Sequence, residues 1–406
     1  MTVAIRAARV FDVEAGTLRA DQVVLVDGER IADVRDAALP LPDGALVVDL
    51  PGHVLLPGLI DLHTHLVGDI EGGHYTAILA RSEADEALTG AANARATLRA
   101  GFTTVRDVGT FRAFVDVALR RAIEAGHVPG PRMMCAGAYV TCTSGGGTLS
   151  GLAPDVVLPR QMRIGVADTP DEVRRAVREL VNGGADLIKV IATGAVLAPG
   201  THPGAPELTE EQIRAAVEEA AGHGVHVAAH AHGAEGAKRA TRAGVRSIEH
   251  GSLLDDEALD LMAEHGTYLV ADIFNGDWIN EQGTRESWPA ETMQKNADTT
   301  DTQRAAFTKA VARGVRIGYG TDAGVYPHGM NARQFGYQIR YGLTPMQAIR
   351  SATVWAAECM GWSGRVGVIR PGAYADLIAV QGNPLEDITG LENTGWVMKG
   401  GAVVRD

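Results

Sequence analysis

The sequence predicts an α/β fold: a (β/α)8 TIM barrel joined to a small β-sandwich domain that both chain termini build. Two observations predict it. Eight apolar, strand-like runs alternate with helix-like segments along the middle of the chain, and short alternating strands occupy both ends. Residues 1–56 would form the first part of the sandwich, residues 57–365 the barrel, and residues 366–406 the second part of the sandwich.

The first part of the chain is predicted to consist of strands joined by tight turns. Its alternating runs are VAIRAARV, QVVLVDG, RIADVRD, ALVVDL and HVLLPG, with turns expected at the Asp27-Gly28 pair and at the Pro51-Gly52 pair. The same pattern returns near the far end in DLIAV, WVMKG and GAVVRD. We therefore expect the two ends of the chain to pair with each other.

The barrel region contains eight strand-like runs with helical segments between them. The runs are LPGLIDLHTH (56–65), TTVRDVG (103–109), RMMCAGAYV (132–140), LIKVIAT (187–193), VHVAAHAHG (225–233), SIEHGS (247–252), YLVADIF (268–274) and IGYGTDAG (317–324). Thr169-Pro170 predicts the start of one helix, and Thr209 with Gln212 predicts a capping box for another. Eight such units close naturally as a barrel, in which the chemistry lies at the carboxyl ends of the strands.

Composition narrows the possible partners. The 406 residues carry 37 basic and 50 acidic side chains, a net charge of −13, and no long run of either sign. Nucleic acids and anionic membranes both require a basic patch, so neither is expected as a partner. The three cysteines form no C-x-x-C pair, and no apolar run reaches membrane-spanning length. We expect a cytoplasmic protein with a small-molecule substrate.

Histidines at strand ends predict a metal site. His63 and His65 end the first barrel strand, and residues two apart on a strand point to the same face, so both imidazoles can face one ion. His230 and His232 repeat this spacing in VAAHAHG, and His250 ends SIEHGS. Any one of them alone could be a core or surface residue, but their joint placement favours ligation.

Two charged residues occupy equally unusual positions. Lys189 lies inside LIKVIAT, where a lysine that points into a barrel must be partnered or chemically changed. The alternative is a side chain that extends outward to water. A desolvated lysine with a lowered pKa is a nucleophile. Asp322 in YGTDAG is either a helix-capping acid or a metal ligand that also carries a proton.

Residues after the last two barrel strands are candidates for substrate contact, with a plain loop role as the alternative for each. They are Asp272, Asn275, Tyr326, His328 and Asn331. The SGGG run (144–147) follows the third strand but lacks the Gly-Lys-Ser/Thr of a phosphate-binding loop. It is predicted to be a mobile loop over the mouth of the barrel.

The order of PGLIDLHTH, a strand lysine, HAHG, IEHG and GTDAG resembles the amidohydrolase superfamily over nearly the whole chain. GTDAGVYPHGMNARQF and PGAYADLIAV are similar to its imidazolonepropionase-like branch of metal-dependent dipeptidases and carboxypeptidases, the prolidase-like enzymes. Imidazolonepropionase itself is mononuclear and uses no such lysine, so Lys189 argues against that reaction. Many relatives carry a histidine at the position of Gly147, so the resemblance does not extend to substrate choice.

The resemblance implies a site with two divalent metal ions, usually zinc. One ion would be held by His63, His65 and Asp322 and the other by His230 and His250, while a carbamate on Lys189 and a hydroxide would bridge them.

The activity that the resemblance implies is hydrolysis of an amide bond in a dipeptide or an N-acyl amino acid, with release of the C-terminal residue. Asp322 would transfer the proton, and His232 would be an extra hydrogen-bond donor. The alternatives are a hydrolase of cyclic amides, lactones or xenobiotic amides, and a catalytically silent scaffold. A homo-oligomer is compatible with the resemblance.

Overall fold

The computed structural model describes residues 2–68, 76–153 and 155–406 and has a mixed α/β fold. In these ranges the strands are, in chain order, β1 (Thr2–Asp12), β2 (Thr17–Arg19), β3 (Gln22–Asp27), β4 (Arg30–Asp36), β5 (Leu46–Pro57), β6 (Leu59–Thr64), β7 (Phe102–Asp107), β8 (Arg132–Cys135), β9 (Tyr139–Val140), β10 (Leu187–Ile191), β11 (His226–Gly233), β12 (Ser247–Leu253), β13 (Tyr268–Ala271), β14 (Arg316–Tyr319), β15 (Leu377–Gln381), β16 (Trp396–Lys399) and β17 (Ala402–Arg405).

The helices separate most of the central strands. In the same ranges they are α1 (Glu83–Arg99), α2 (Val115–Glu124), α3 (Pro170–Gly183), α4 (Glu210–Gly222), α5 (Ala234–Ala243), α6 (Asp256–His265), α7 (Asn275–Glu286), α8 (Ala290–Ala312), α9 (Gln334–Arg340), α10 (Pro345–Ser351) and α11 (Val354–Cys359). Thr169 caps α3 with Pro170 in its first turn, and Thr209 forms a capping box with Gln212 at the start of α4, which confirms both predicted helix starts. None of these helices combines the length and apolarity that a membrane crossing requires.

Strands from both termini form one eight-stranded sheet in the order β17-β16-β15-β5-β1-β3-β4, with β2 paired to β1. The strand β5 joins the two ends, because it pairs parallel with β1 and antiparallel with β15. The predicted pairing of the termini is therefore confirmed. The hydrogen bonds connect all eight strands into one continuous path, and their arrangement as a sandwich stays a prediction.

The turn predicted at Pro51-Gly52 is wrong, because β5 runs through both residues without a break. Gly52 adopts a positive φ of 74°, which bends the strand where a residue with a side chain would be strained. The pairing with β1 shifts its register between Ala7 and Arg9 to accommodate this bend. The strand therefore continues past an irregularity that looks like a turn in the sequence.

The central strands run parallel and form two sheets, β6-β7-β8 and β14-β13-β12-β11-β10-β9. Seven of the eight predicted barrel strands are present as single strands. The third is divided into β8 and β9, because Gly137 between them has a φ of 77° and donates its amide to Asp116. Thr64, the last residue of β6, pairs in parallel with Ala323, which follows β14.

The strand interiors are apolar, and polar side chains gather where the strands end. Every residue of β6, β7, β10 and β13 is buried, and their shared core includes Leu59, Ile188 and Leu269. The buried Asp322 follows the end of β14, and the buried Lys189 in the middle of β10 lines the same pocket. The fold therefore brings the chemically active side chains to one side of the parallel strands.

Candidate metal centre and active site

A pocket opens at the carboxyl ends of the parallel strands, with a cavity volume of about 110 Å³. All six residues predicted as metal ligands line it, namely His63, His65, Lys189, His230, His250 and Asp322. They come from five strands or the segments that follow them, β6, β10, β11, β12 and β14. The parallel arrangement therefore brings together residues that are up to 259 positions apart, the separation between 63 and 322.

The histidines of β6 are oriented by partners on their Nδ1 atoms. Nδ1 of His63 lies 2.8 Å from Oε2 of Glu249, and Nδ1 of His65 lies 2.8 Å from the carbonyl oxygen of Gly109. Their Nε2 atoms then face Oδ1 of Asp322, at 3.4 Å and 3.3 Å. Each Nδ1 acts as donor to an oxygen, so each Nε2 presents a lone pair to the pocket.

The histidines of β11 and β12 are oriented in two different ways. His250 follows the same rule as the first pair, with Nδ1 3.0 Å from Oδ1 of Asp272. His230 is turned round, since its Nε2 lies 3.1 Å from the carbonyl oxygen of Gly194 and its Nδ1 remains to face the pocket. His232 has Nδ1 2.8 Å from Oγ of Ser252.

Two groups of ligand atoms are close enough to hold a metal ion. One group is His63, His250 and Asp322, and the other is His230, His232 and His250, with all ligand atoms of each group within 4.8 Å of one another. Imidazole nitrogens with a carboxylate oxygen are the donor set that zinc prefers. The two groups share His250, so the pocket provides adjoining positions for metal rather than two separate sites.

Backbone strain marks two of these residues. His250 has a φ of 69° and Asp322 a φ of 57°, in the left-handed region that side chains rarely adopt. Each such residue costs on the order of 1 kcal/mol and persists only where the surroundings hold it. Here the strain turns the two side chains toward the same pocket.

Lys189 is 2% exposed and lies among these ligands. Burial lowers the pKa of its ammonium group to about 8, with the charge of Arg106 acting in the same direction and the carboxylate of Glu249 opposing both. A substantial fraction of the side chain is therefore the neutral amine near physiological pH. The alternative of a lysine that extends to water does not fit this burial.

The acids of the pocket are ionised. Burial works against the charge of Asp322, but its contacts with the imidazole rings of His63 and His65 outweigh burial and hold the pKa of this carboxyl well below the usual range. Burial also opposes the charge of Asp272, and contact with His250 lowers the pKa of that carboxyl to about 2. Both groups are therefore hydrogen-bond and proton acceptors at neutral pH.

The profile of the amidohydrolase family matches residues 54–404, nearly the whole chain. The chain belongs to the amidohydrolase family. Ochratoxinase from Aspergillus niger is 36% identical over 358 residues, which cover 82% of this chain and 72% of the relative. A short match to dihydroorotase from Mycobacterium leprae covers only 20% of the chain, at 42% identity.

Solved structures agree with this membership. A Xaa-Pro dipeptidase with methionine bound in its active site is 37% identical, with a TM-score of 0.92 and complete coverage of both chains. A prolidase in complex with N-methylphosphonate-L-proline is 33% identical, also with a TM-score of 0.92 and complete coverage. Ochratoxinase from A. niger superposes with a TM-score of 0.88 over 100% of this chain and 95% of its own. This amidohydrolase is therefore a hydrolase of carbon–nitrogen bonds in amides.

Two of the predicted substrate residues lie in the pocket of this amidohydrolase, where they contact residues predicted to be metal ligands. Asp272 orients His250, as described above. Asn275 donates from Nδ2 to Oδ2 of Asp272 and to Oδ2 of Asp322, both at 3.0 Å. These contacts position the two acids, so the structure gives both residues a supporting role beside any contact with substrate.

The other three predicted substrate residues are not among the described residues that line the pocket, and their contact with substrate stays a prediction. Tyr326 is 2% exposed and packs edge-on against Phe274. Nε2 of His328 lies 3.1 Å from the carbonyl oxygen of His65. Asn331 donates to Oδ2 of Asp61 at 2.8 Å. The contacts of His328 and Asn331 connect the segment after β14 to β6 and to His65, which follows it.

Sequence reasoning missed a buried ion pair beneath the ligands. Arg106 on β7 donates from Nη2 to Oε1 of Glu249 at 2.7 Å and from Nε to the carbonyl oxygen of Leu62 at 2.6 Å. Glu249 is the residue that holds His63. The sequence did contain a signal for Arg106 and Glu249, because both are charged residues inside apolar strands. Glu249 also directly precedes His250.

Gln303 on α8 was also missed. Its Nε2 donates to Oδ1 of Asp272 at 2.8 Å and to the carbonyl oxygen of His250 at 3.2 Å. Nothing in the sequence of α8 distinguishes this glutamine from a surface residue. Only the packing of α8 on β12 brings it to the metal site.

The glycine-rich run packs tightly against the pocket wall. Gly146 and Gly147 line the pocket, and the amide of Gly146 donates to Oε2 of Glu207 at 2.8 Å. A Cβ on Gly147 would lie 2.8 Å from Cγ1 of Ile191 and 3.0 Å from Cβ of Tyr139. A larger residue would therefore have to displace this wall. The contact of the Gly146 amide with the Glu207 carboxylate agrees with the prediction that this run is not a phosphate-binding loop. The mobility of the run stays a prediction.

Proposed function

We propose that this amidohydrolase cleaves an amide bond in a dipeptide or an N-acyl amino acid and releases the C-terminal residue. The observation that carries the proposal is the convergence on one pocket of two groups that could each hold a metal ion, together with the buried Lys189. The similarity to a Xaa-Pro dipeptidase and to a prolidase supports the choice of substrate class.

The proposal includes the architecture expected from the sequence, a closed (β/α)8 barrel over residues 57–365 beside a β domain from residues 1–56 and 366–406. The hydrogen bond from the amide of His65 to the carbonyl oxygen of Ala323, at 2.8 Å, supports closure at one edge. The bond from the amide of Asp186 to the carbonyl oxygen of Cys135, at 2.7 Å, supports closure at the other.

We assign the ligands as the resemblance implies. His63, His65 and Asp322 would hold one divalent ion and His230 and His250 the other. The ring orientations support this assignment, because partners on the far side of each ring leave one imidazole nitrogen facing the pocket. The assignment differs from the two geometric groups in adding His65 and leaving out His232 as a ligand. The neutral amine of Lys189 would attack CO2, forming an N–C bond and losing one proton to solvent, and the resulting carbamate would be one of the groups that hold the ions.

When bound, such ions lower the pKa of a water molecule toward neutrality and polarise the scissile carbonyl group. The ionised Asp322 accepts the proton released when water attacks and donates it to the leaving nitrogen. Burial, followed by the charge of His250, lowers the pKa of His232 to about 3, so this imidazole is neutral. If the hydroxyl group of Ser252 donates to Nδ1, then Nε2 of His232 carries hydrogen and donates to the oxyanion.

A second candidate is hydrolysis of a larger xenobiotic amide, or of a cyclic amide or lactone. The similarity to ochratoxinase over 82% of the chain favours it. The two candidates share the same centre and differ only in what fills the outer pocket. A catalytically silent scaffold is the candidate from another class, and the presence of all six predicted ligands in one pocket counts against it.

The test is hydrolysis by the purified enzyme of a panel of dipeptides, N-acyl amino acids, anilides, lactams and lactones. Release of free amino acid from the first two classes, abolished by a chelator and restored by zinc, is the expected result. Cleavage confined to anilides or ring compounds would replace the leading proposal with the second candidate. Metal-loaded protein that cleaves no member of the panel would contradict both.

A further inference from the structure

A loop between β10 and α4 forms one wall of the pocket. Its base is closed by pairing of Thr193 with Pro206, and Val196 and Leu197 near its tip line the cavity. The carbonyl oxygen of Gly194, at the start of the loop, holds Nε2 of His230. The same short segment therefore touches both the metal site and the outer pocket. Residues 194–201 are called the wall loop below.

Two residues on successive turns of α8 attach the tip of the wall loop. Nζ of Lys295 donates to the carbonyl oxygen of Ala198 at 2.8 Å, and the amide of Gly200 donates to Oε1 of Glu291 at 2.8 Å. Lys295 and Glu291 also form an ion pair at 2.6 Å. Lys295 is only 8% exposed, so its charge is desolvated in order to hold one backbone carbonyl group. Together the two residues are called the α8 clamp.

The wall that the clamp supports is apolar. Leu197 packs against a cluster of Ile279, Trp288 and Val325. Phe111 and Ile191 line the same pocket, and α8 adds only the neutral side chains of its threonines and amides. Among the described lining residues, charged and histidine side chains are confined to the ligand cluster. A charged group placed against this wall would lose its hydration without gaining a partner.

We propose that the α8 clamp, Lys295 with Glu291, is a pair of positioning residues that fixes the wall loop as the specificity surface for an uncharged, apolar side chain on the residue released from the substrate. The inference rests on the proposed amide hydrolysis and narrows its substrate class. Its physical basis is the transfer of an aliphatic or aromatic group from water to a preformed apolar surface, which favours binding on the order of tenfold or more.

The test compares glycyl-L-leucine with glycylglycine as substrates for the complete enzyme. Lys295→Met keeps the length of the side chain but removes the donor and the charge. Its kcat/KM for glycyl-L-leucine should fall about tenfold more than its kcat/KM for glycylglycine, mainly through KM. Lys238→Met is the matched control, because Lys238 forms ion pairs with Asp255 and Glu257 far from the pocket. The control should match the wild-type enzyme on both substrates.

Glu291 provides the rescue experiment. Glu291→Ala removes the acceptor of the Gly200 amide and should lose discrimination as Lys295→Met does. Glu291→Gln keeps an oxygen acceptor at that position and should recover most of the preference for leucine. Equal losses of kcat/KM for both substrates would overturn the proposal. An unchanged preference for glycyl-L-leucine in Lys295→Met or in Glu291→Ala would also overturn it.

A binding measurement separates this inference from the proposed reaction. Calorimetry with L-leucine, glycine, L-glutamate and L-lysine as product ligands needs no turnover. The wild-type enzyme should bind leucine about tenfold more tightly than the other three, and Lys295→Met should remove that difference. Equal affinities in the wild-type enzyme would overturn the apolar specificity even if dipeptides are cleaved. Tighter binding of leucine without cleavage of any dipeptide would support the apolar specificity of the wall loop and contradict the proposed amide hydrolysis.

Discussion

The carboxylate of Glu249 holds Nδ1 of His63 at 2.8 Å, and both side chains are shielded from solvent. This contact fixes the tautomer of His63 and turns its Nε2 toward Asp322. Glu249 also pairs with Arg106, so one buried acid connects the orientation of a predicted metal ligand to the charge of a buried arginine. His63 is therefore oriented by a buried carboxylate that a water molecule cannot replace.

Glu249→Gln should weaken metal binding because the neutral amide is a poorer acceptor for His63. We expect metal affinity to fall by about 10- to 100-fold, measured by competition with a chromogenic chelator. The free energy of unfolding should fall by about 3 kcal/mol, since Arg106 loses its buried counter-charge. Unchanged affinity in a folded variant would show that Glu249 does not orient the ligand.

Asp322→Asn should leave metal content largely intact, because the amide oxygen can still ligate, while removing the proton acceptor. Turnover should fall by about 100-fold or more, the usual scale for loss of a general acid or base. The measurements are elemental analysis and steady-state kinetics on the same preparation. An undiminished rate would exclude Asp322 from proton transfer.

Lys189→Ala should empty at least one metal position, because the proposed carbamate bridges the two ions. The expected result is a loss of about one metal equivalent with an unchanged circular dichroism spectrum. A matched control is Lys309→Ala, whose lysine is on the outside of α8 and pairs with Asp256. Full metal occupancy in the Lys189 variant would contradict the bridge.

Glu207 predicts a pH dependence of stability. Burial, opposed by the hydrogen bond from the Gly146 amide, raises the pKa of this carboxyl from 4.5 to about 7. The folded protein therefore binds the proton more tightly than the unfolded chain does, so the Glu207 contribution to the free energy of unfolding falls as pH rises from 4.5 to 7.

Glu207→Gln removes this ionisation and keeps an oxygen for Gly146. The variant should be more stable than the wild-type protein at pH 8, by on the order of 1 kcal/mol because the group is partly exposed, and nearly equal to it at pH 5. Denaturant unfolding at both pH values measures the difference. A stability difference that does not change with pH would contradict the raised pKa.

The six predicted metal ligands line one pocket because their positions depend on local rules. Two-residue spacing on β6 places His63 and His65 on one face, and a parallel fold brings all strand ends to one side. The same reasoning located Lys189, since a charged residue in an apolar strand requires a special environment. These inferences need only the strand pattern and the direction of the strands.

The roles of the remaining residues around the pocket depend on packing that no local sequence pattern reveals. Gln303 and Lys295 lie on an ordinary-looking helix, and only the contact of α8 with β12 and the wall loop gives them roles. His328 shows the limit of local reasoning, because closeness to Asp322 in sequence does not put it among the described residues that line the pocket. Its Nε2 lies 3.1 Å from the carbonyl oxygen of His65.

The most direct test of the central claim is the metal content of the wild-type protein, purified without chelator from zinc-supplemented medium and measured by elemental analysis. A hydrolytic centre with two ions predicts about two zinc equivalents per chain, retained on dialysis and lost together with amide hydrolysis on treatment with a strong chelator. Protein that retains no metal, or that hydrolyses its substrate at an unchanged rate after all metal is removed, would contradict the account.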